Sequence, residues 1–364
     1  MEQENLEVEI GKMHCTNCGA ELNYKPGTTE LVCEYCQTKN EIPVSDEEIK
    51  ELDFHEYLEN MMSSAEQVTE KYIKCSSCGA SSTMEPHITA ADCTYCGTSL
   101  ILEDAKDEVI IQPKSLLPFK LTKDEAKAAF KKWINGLWFA PDKLKKAALN
   151  FEHLHGIYIP YWTFDTLTHS SYFGQRGTYY YVTETYQSDG KTKTRQVRKT
   201  RWRSVSGNVT VNFDDILVVA TKSLSQPHIE KLEPWDLQNL MPYEKSFLSG
   251  FVSEKYQVDL GAGFERAKQL ADDDIRRAIM RDIGGDTQRI ISKSSRYDNI
   301  TFKHILLPVY VSAFKFKDKV YQFFVNARTG EVQGERPWSW VKITLAVLLG
   351  IVVIGTIWYF TQNK

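Results

Sequence analysis

Eight cysteines in two copies of one spacing, an uncharged run near the C-terminus, and an aromatic-rich stretch of alternating polarity between them predict the fold class. It is two small zinc ribbons, an α+β domain with an antiparallel sheet, and one C-terminal transmembrane helix. The cysteines are Cys15, Cys18, Cys33 and Cys36, then Cys75, Cys78, Cys93 and Cys96, each set spaced C-x2-C-x14-C-x2-C and offset by 60 residues. A C-x2-C pair turns two sulfurs toward one point, and two such turns complete a tetrahedral four-thiolate site, the preference of zinc. Gly19/Gly79, Ala20/Ala80, Pro26/Pro86 and Tyr35/Tyr95 repeat at the same offset, so the two segments are one module in tandem. Two structural zinc ions per chain are expected, because four thiolates leave no open coordination position. His14 and His87 lie near the cysteines but are not needed as ligands.

Zinc holds eight thiolates only where the medium is reducing, and the first residues, MEQENLEVEI, carry neither a basic start nor an apolar run. The ribbons are therefore expected to face the cytoplasm. Between them, Ser45 and Glu48 form a capping-box signature before an apolar recurrence at Ile49, Leu52, Tyr57, Leu58, Met61, Met62, Ala65, Val68 and Tyr72. This predicts one acidic amphipathic helix over 45–72, whose apolar stripe either packs on the ribbons or receives a partner helix. The expected divisions are 1–44 and 73–104 for the ribbons, 105–340 for the α+β domain, in one unit or two subdomains, and 341–361 for the transmembrane helix.

Charge divides the chain along the same line. Residues 1–104 hold 21 Asp/Glu against 6 Lys/Arg, a formal −15, which leaves +11 for the rest of a chain of net charge −4. Ribbons that contact nucleic acid do so through a cationic surface, which this acidic half lacks.

In the domain, Thr122 and Glu125 open a helix over 122–137, and strands fit 156–166, 172–186, 194–211 and 216–221. Asp189-Gly190 is a hairpin signal, a second helix fits 262–283 and stops at Gly284-Gly285, and a last hairpin fits 305–326 before a turn at 326–330. One strand is unusual: in KTKTRQVRKTRWR the residues Lys191, Lys193, Arg195, Lys199, Arg201 and Arg203 fall on one face. Three uses compete, namely a solvated hairpin face, a contact for anionic lipid headgroups or an acidic protein, and a nucleic-acid groove. Tethering to a bilayer makes lipid the most economical specific use.

Catalytic signatures are lacking. Gly190-Lys191-Thr192 closes no phosphate loop, because Thr185 stands where the first glycine is required. His153 and His155 precede Gly156 on an apparent strand with Glu152 beside them, where such a pair can share a metal but a structural or surface role is expected, and Asp272, Asp273 and Asp274 point in different directions on a helix. No nucleophile pairs with a base, so the chain is expected not to be an enzyme.

Residues 343–360 (ITLAVLLGIVVIGTIWYF) carry no charge and no proline. As a helix they span roughly 27 Å, close to the hydrocarbon thickness of a bilayer. Trp338 and Trp340 precede the run, Trp358 and Tyr359 end it, and Lys342 and Lys364 can snorkel outward. Arg328, Arg336 and Lys342 lie before it, so a single pass with the N-terminal bulk in the cytoplasm is expected.

Paired ribbons, the stretches GIYIPYWTFDTLTHSSYFGQRG (156–177) and LPVYVSAFKFKDKVYQFFVNARTGEVQGERPWSW (307–340), and the terminal helix together resemble the YdjG-type zinc-ribbon membrane proteins of Bacillus-type bacteria. The resemblance implies a membrane component associated with a phage-shock-type PspA protein, an SPFH-domain scaffold and a second membrane protein in envelope-stress protection. Members are sometimes labelled primosomal helicases because of the ribbons, a label the missing phosphate loop contradicts. The expected function is a tail-anchored adaptor presenting two ribbons to cytoplasmic partners. The alternative is a membrane-tethered nucleic-acid-binding protein.

Overall fold

The structure, a computed structural model, describes residues 14–43, 49–60, 67–75, 80–83, 90–93, 95, 99–101, 106–143, 154–188, 190–316, 319–335 and 338–362. Ser45, Glu48, Cys78, His87, Cys96, His153 and Asp189, named above, lie outside the described residues.

The first module is a three-stranded sheet of β1 (Leu22–Tyr24), β2 (Glu30–Cys33) and β3 (Lys39–Glu41). Then, in place of the single helix expected over 45–72, come β4 (Leu52–Asp53), α1 (Phe54–Asn60) and β5 (Gln67–Lys74). The Asp53 carboxylate caps α1 by accepting from the Glu56 amide at 2.8 Å, and Phe54 and Tyr57 bury against Phe264 and Phe302. The second module contributes β6 (Ser81–Thr83) and the pair β7 (Ala90–Asp92) and β8 (Ser99–Ile101), while β6 and β9 (Lys106–Ile111) flank β5. The expected helix fails beyond residue 66 because Val68, Thr69, Tyr72 and Ile73 favour a strand, and β9 supplies the partner from across the 104/105 division.

The rest of the chain forms β10 (Ser115–Leu116), α2 (Lys123–Gly136), β11 (His155–Ser188), β12 (Lys191–Val219), α3 (Gln226–Ile229), β13 (Met241–Pro242), β14 (Val252–Ser253), α4 (Leu260–Ile283), β15 (Thr287–Phe316), β16 (Lys319–Asn326), β17 (Val332–Gly334) and α5 (Trp340–Gln362). Its spine is β12-β11-β15, antiparallel strands of 29, 34 and 30 residues. At about 3.3 Å per residue, β11 runs roughly 110 Å. The four shorter strands expected from the sequence are run together into β11 and β12. The polar stretch Leu167–Ser171 stays in the sheet because its hydroxyls are satisfied in place: Thr168 Oγ1 donates to Val211 O at 2.9 Å, and the Ser170 and Ser295 hydroxyls meet at 2.7 Å. β-Bulges beside Asp165 and between Phe173 and Gly174 absorb the register shifts.

At its base, over residues 156–164, the spine is buried on both faces. Tyr158, Leu306 and Tyr310 meet the first module, the loop residue Phe119, and Phe130 from α2 on one face. Ile157, Ile159, Leu307 and Val309 meet Ile73, Cys75, Cys93 and Tyr95 of the second module on the other. Because alternate residues of a strand point to opposite faces, the two cysteine modules clamp the same sheet from both sides. Farther out, α4 lays Ala271, Ile275, Ile279 and Ile283 along Tyr172, Val205 and Val209. It approaches so closely that a Cβ on Gly263 would lie 2.8 Å from Trp162 Cδ1. α4 ends at Gly284 (φ 65°) as expected, and β15 begins opposite Gly177. Residues 178–188 and 191–201 therefore continue as a two-stranded arm. Its length is roughly 35 Å.

Candidate metal centre

The two knuckles of the first module repeat one hydrogen-bonded turn. Gly19 N donates to Cys15 O at 2.8 Å and Cys15 N to Ala20 O at 2.7 Å; Gln37 N donates to Cys33 O at 2.9 Å and Cys33 N to Thr38 O at 3.0 Å. Gly19 (φ 72°) and Gln37 (φ 60°) take the left-handed conformation that closes each turn. The turns bring the Sγ atoms of Cys15, Cys18, Cys33 and Cys36 within 4.8 Å of one another, with Cys15–Cys36 at 3.4 Å and Cys18–Cys33 at 3.5 Å. Zinc–sulfur bonds of about 2.3 Å give a tetrahedron with edges of about 3.8 Å, so the four sulfurs fit one such ion. The Thr38 hydroxyl and amide hold the Cys36 thiol down to about 5. The Ala20 amide lowers Cys18, but the Cys36 and Cys33 sulfurs outweigh it and push Cys18 up to about 12. Four thiolates share this volume only around a cation. Cys15 and Cys33 are buried, Cys18 is exposed, and His14 Nδ1 is engaged by Gly19 O at 3.0 Å, outside the cluster.

In the second module Cys75 N donates to Ala80 O at 2.8 Å, the counterpart of Cys15 and Ala20, and Cys75 and Cys93 are both buried. Cys78 and Cys96 lie outside the described residues, among which one four-cysteine cluster is seen. The repeat diverges at its tyrosines. Tyr35 is 84% exposed, whereas Tyr95 is 1% exposed and donates to Glu254 Oε2 at 2.9 Å. Glu254 also accepts from Thr221 Oγ1 at 2.6 Å, and burial pushes its carboxyl up to about 7.

Sequence reasoning missed a charged cluster at the bulge of the spine. Lys303, nearly buried, pairs with Glu51 at 2.8 Å and Asp215 at 2.9 Å, with Asp165 at 4.0 Å. Burial, reinforced by the neighbouring Glu51, pushes Asp165 up to about 7; burial alone would lower Lys303, but Glu51 and Asp215 hold it above its ordinary value. One ammonium faces three carboxylates, so the cluster keeps a net negative charge, and the Lys303–Glu51 pair fastens the segment before α1 to the spine. The signal was weak because Glu51 and Lys303 stand 252 positions apart.

Lys191, Lys193, Arg195, Lys199 and Arg201 lie exposed on the arm, Arg203 lies exposed at its base opposite Arg176, and all six share a face with Tyr180, Glu184 and Tyr186 of β11. That face is partly neutralised, since Glu184 pairs with Arg195 at 3.3 Å and Lys199 at 3.1 Å. Arg195 and Arg201 stand over the Tyr186 and Tyr180 rings at 5.5 and 5.4 Å. On the other face Arg198 stands 4.2 Å from the Tyr179 ring and Arg289 4.0 Å from Trp202. Of the motifs set aside above, Gly190 (φ 70°) is in the hairpin turn, Asp272 pairs with Arg276 at 2.6 Å, and His155 pairs with Val311 in the sheet. At the other end, α5 has 23 residues, is long and apolar enough to cross a membrane, and buries none of its side chains.

No protein-family model matches the chain, and no solved structure matches it. It is similar to the uncharacterized protein YdjG of Bacillus subtilis (strain 168), with 27% identity over 235 residues, 64% of this chain and 66% of that protein. The similarity is distant and leaves about a third of that protein's length unmatched.

Proposed function

We propose that the chain is a non-enzymatic membrane adaptor. α5 spans the bilayer, both cysteine sets hold structural zinc, and the cytoplasmic body recruits a partner in envelope-stress protection. On the strength of the resemblance, the direct partner is a PspA-like protein, working with an SPFH-domain protein and a second membrane protein. The observation that supports this reading most is a four-sulfur cluster that leaves a bound zinc no open coordination position, in a body that leads into an unburied apolar helix. The second zinc rests on the repeated Cys75–Ala80 hydrogen bond and the burial of Cys93.

Both modules are part of the core, so among the described residues the ribbon surface offered to a partner is the second knuckle of the first module, where Tyr35 stands exposed beside Cys36. Deleting residues 1–104 would also remove β4, β5 and Glu51, and would test folding instead of recruitment. The better experiment is capture of the full chain from detergent-solubilised membranes. A PspA-like protein should accompany the wild type and be lost from Tyr35→Ala at unchanged metal content. Its absence from the wild-type capture would overturn the partner assignment. A nucleic-acid-binding role is the second reading, favoured by the interleaved cations and aromatic rings of the arm. Salt-sensitive binding of single-stranded nucleic acid, lost when the arm cations are neutralised, would put it first.

A further inference from the structure

The base of α5 is fastened to a loop far from it in the chain. Ser339 N donates to Phe139 O at 2.8 Å, Lys342 Nζ donates to Ala140 O at 3.0 Å and pairs with Asp142 at 2.7 Å, and the Phe139 and Trp338 rings meet at 6.3 Å. The loop follows α2, and its own core contacts are Leu137 and Ala140, 7% and 2% exposed. Trp138, between them, turns outward and is 77% exposed. Trp338 and Trp340, at the start of α5, are 53% and 78% exposed. Three large indoles from two chain segments are therefore held around one end of an apolar helix, where their burial by protein would be the ordinary outcome.

Lys342 sets the depth of the loop. It is two residues into α5, about 3 Å along the axis from Trp340. Its ammonium binds the loop directly, so the loop lies level with the first turn of the helix. In a spanning helix that level is the boundary between hydrocarbon and headgroups, where indoles place their apolar bodies inward and their N–H toward water.

We propose that the loop over 137–142 is a second membrane-contacting element, with Trp138 seated in the headgroup layer of the bilayer that α5 crosses. The inference rests on the reading of α5 as a membrane span. Its occupant is phospholipid, because the exposed indoles are continuous with the apolar surface of α5 and, among the described residues, Trp138, Trp340 and the apolar face of α5 stand exposed. With Trp338 and Trp340 on the helix and Trp138 on the body, two fixed points restrict how the body tilts on its anchor.

The test uses the full chain in phospholipid vesicles, wild type and Trp138→Phe, with the difference in tryptophan emission assigned to Trp138. Lipids brominated near the glycerol end should remove most of that difference signal, and aqueous iodide should leave most of it. Lys342→Met, which unfastens the loop, should make Trp138 accessible to iodide. A difference signal quenched by iodide and untouched by brominated lipid, while the remaining tryptophans are quenched by lipid, would overturn the proposal and leave the span intact. If brominated lipid quenched no tryptophan of the wild type, the span itself would fall, and the proposal with it.

Discussion

Tyr35 and Tyr95 occupy equivalent positions in the tandem repeat, yet one faces solvent and the other seals the second module onto the spine through Glu254. The lock has a pH dependence. Glu254 titrates at about 7 in the folded protein against an ordinary 4.5, so its protonated form is favoured by folding. The stabilisation is fully present below the unfolded pKa and is lost as pH rises through about 7; the shift corresponds to about 3 kcal/mol. The thermal midpoint of the intact chain should therefore fall between about pH 4.5 and pH 7 and level off above, and Glu254→Gln should flatten that slope. Equal slopes in the two proteins would show that Glu254 is not the group responsible. At the first site, Cys33→Ser removes a buried sulfur that belongs to the core as well as to the cluster. Zinc per chain should fall by one ion relative to wild type in metal analysis, with the second set unaffected and the midpoint lowered.

Local elements differ in how openly the sequence declared them. α2 was legible because its capping box is written in four residues: Thr122 N donates to Glu125 Oε2 at 2.8 Å and Glu125 N to Thr122 Oγ1 at 3.3 Å. α4 was legible from its apolar period and its double-glycine stop. The first half of β15 was not, because QRIISKSSRYDN has the polarity of a loop and becomes a strand only by pairing with β11. The arm was visible as a basic hairpin, but its tyrosine partners and the neutralising Glu184 depended on register. Since the arm lies beyond α4 and Arg203 is exposed at its base, replacing Lys191, Lys193, Arg195, Lys199, Arg201 and Arg203 by Gln should leave metal content and midpoint unchanged. The substitutions should reduce bridging of proteoliposomes carrying the full chain to a second population of anionic vesicles, read as turbidity at low salt. Bridging that persists would remove lipid from the uses of the arm.

For the whole molecule, the charge division seen in the sequence is not a division into separate bodies. The acidic N-terminal modules are built into the base of a sheet supplied by the basic remainder, through Tyr24 and Phe119 on one face and Tyr95 and Glu254 on the other. Ending the chain before Ile343 should release this body from membranes at high salt, read by fractionation, with weak attachment through Trp138, Trp338 and Trp340 at low lipid dilution. A truncated body still in the membrane fraction at high salt, with no other membrane protein present, would show that α5 is not its principal anchor.

The sequence by itself determined the four-cysteine spacing, the apolar helix, the two long soluble helices and the hairpin turn at Gly190, since each is encoded within a few dozen consecutive residues by ligand chemistry, period or capping. Only the tertiary structure decided that β11 and β15 run unbroken, that the modules clamp opposite faces of one sheet, that Lys303 gathers three carboxylates, and that Trp138 stands beside the base of α5. Each of these depends on residues far apart in the chain, and which face a strand residue occupies changes with a shift of one position in register, information that no local pattern carries.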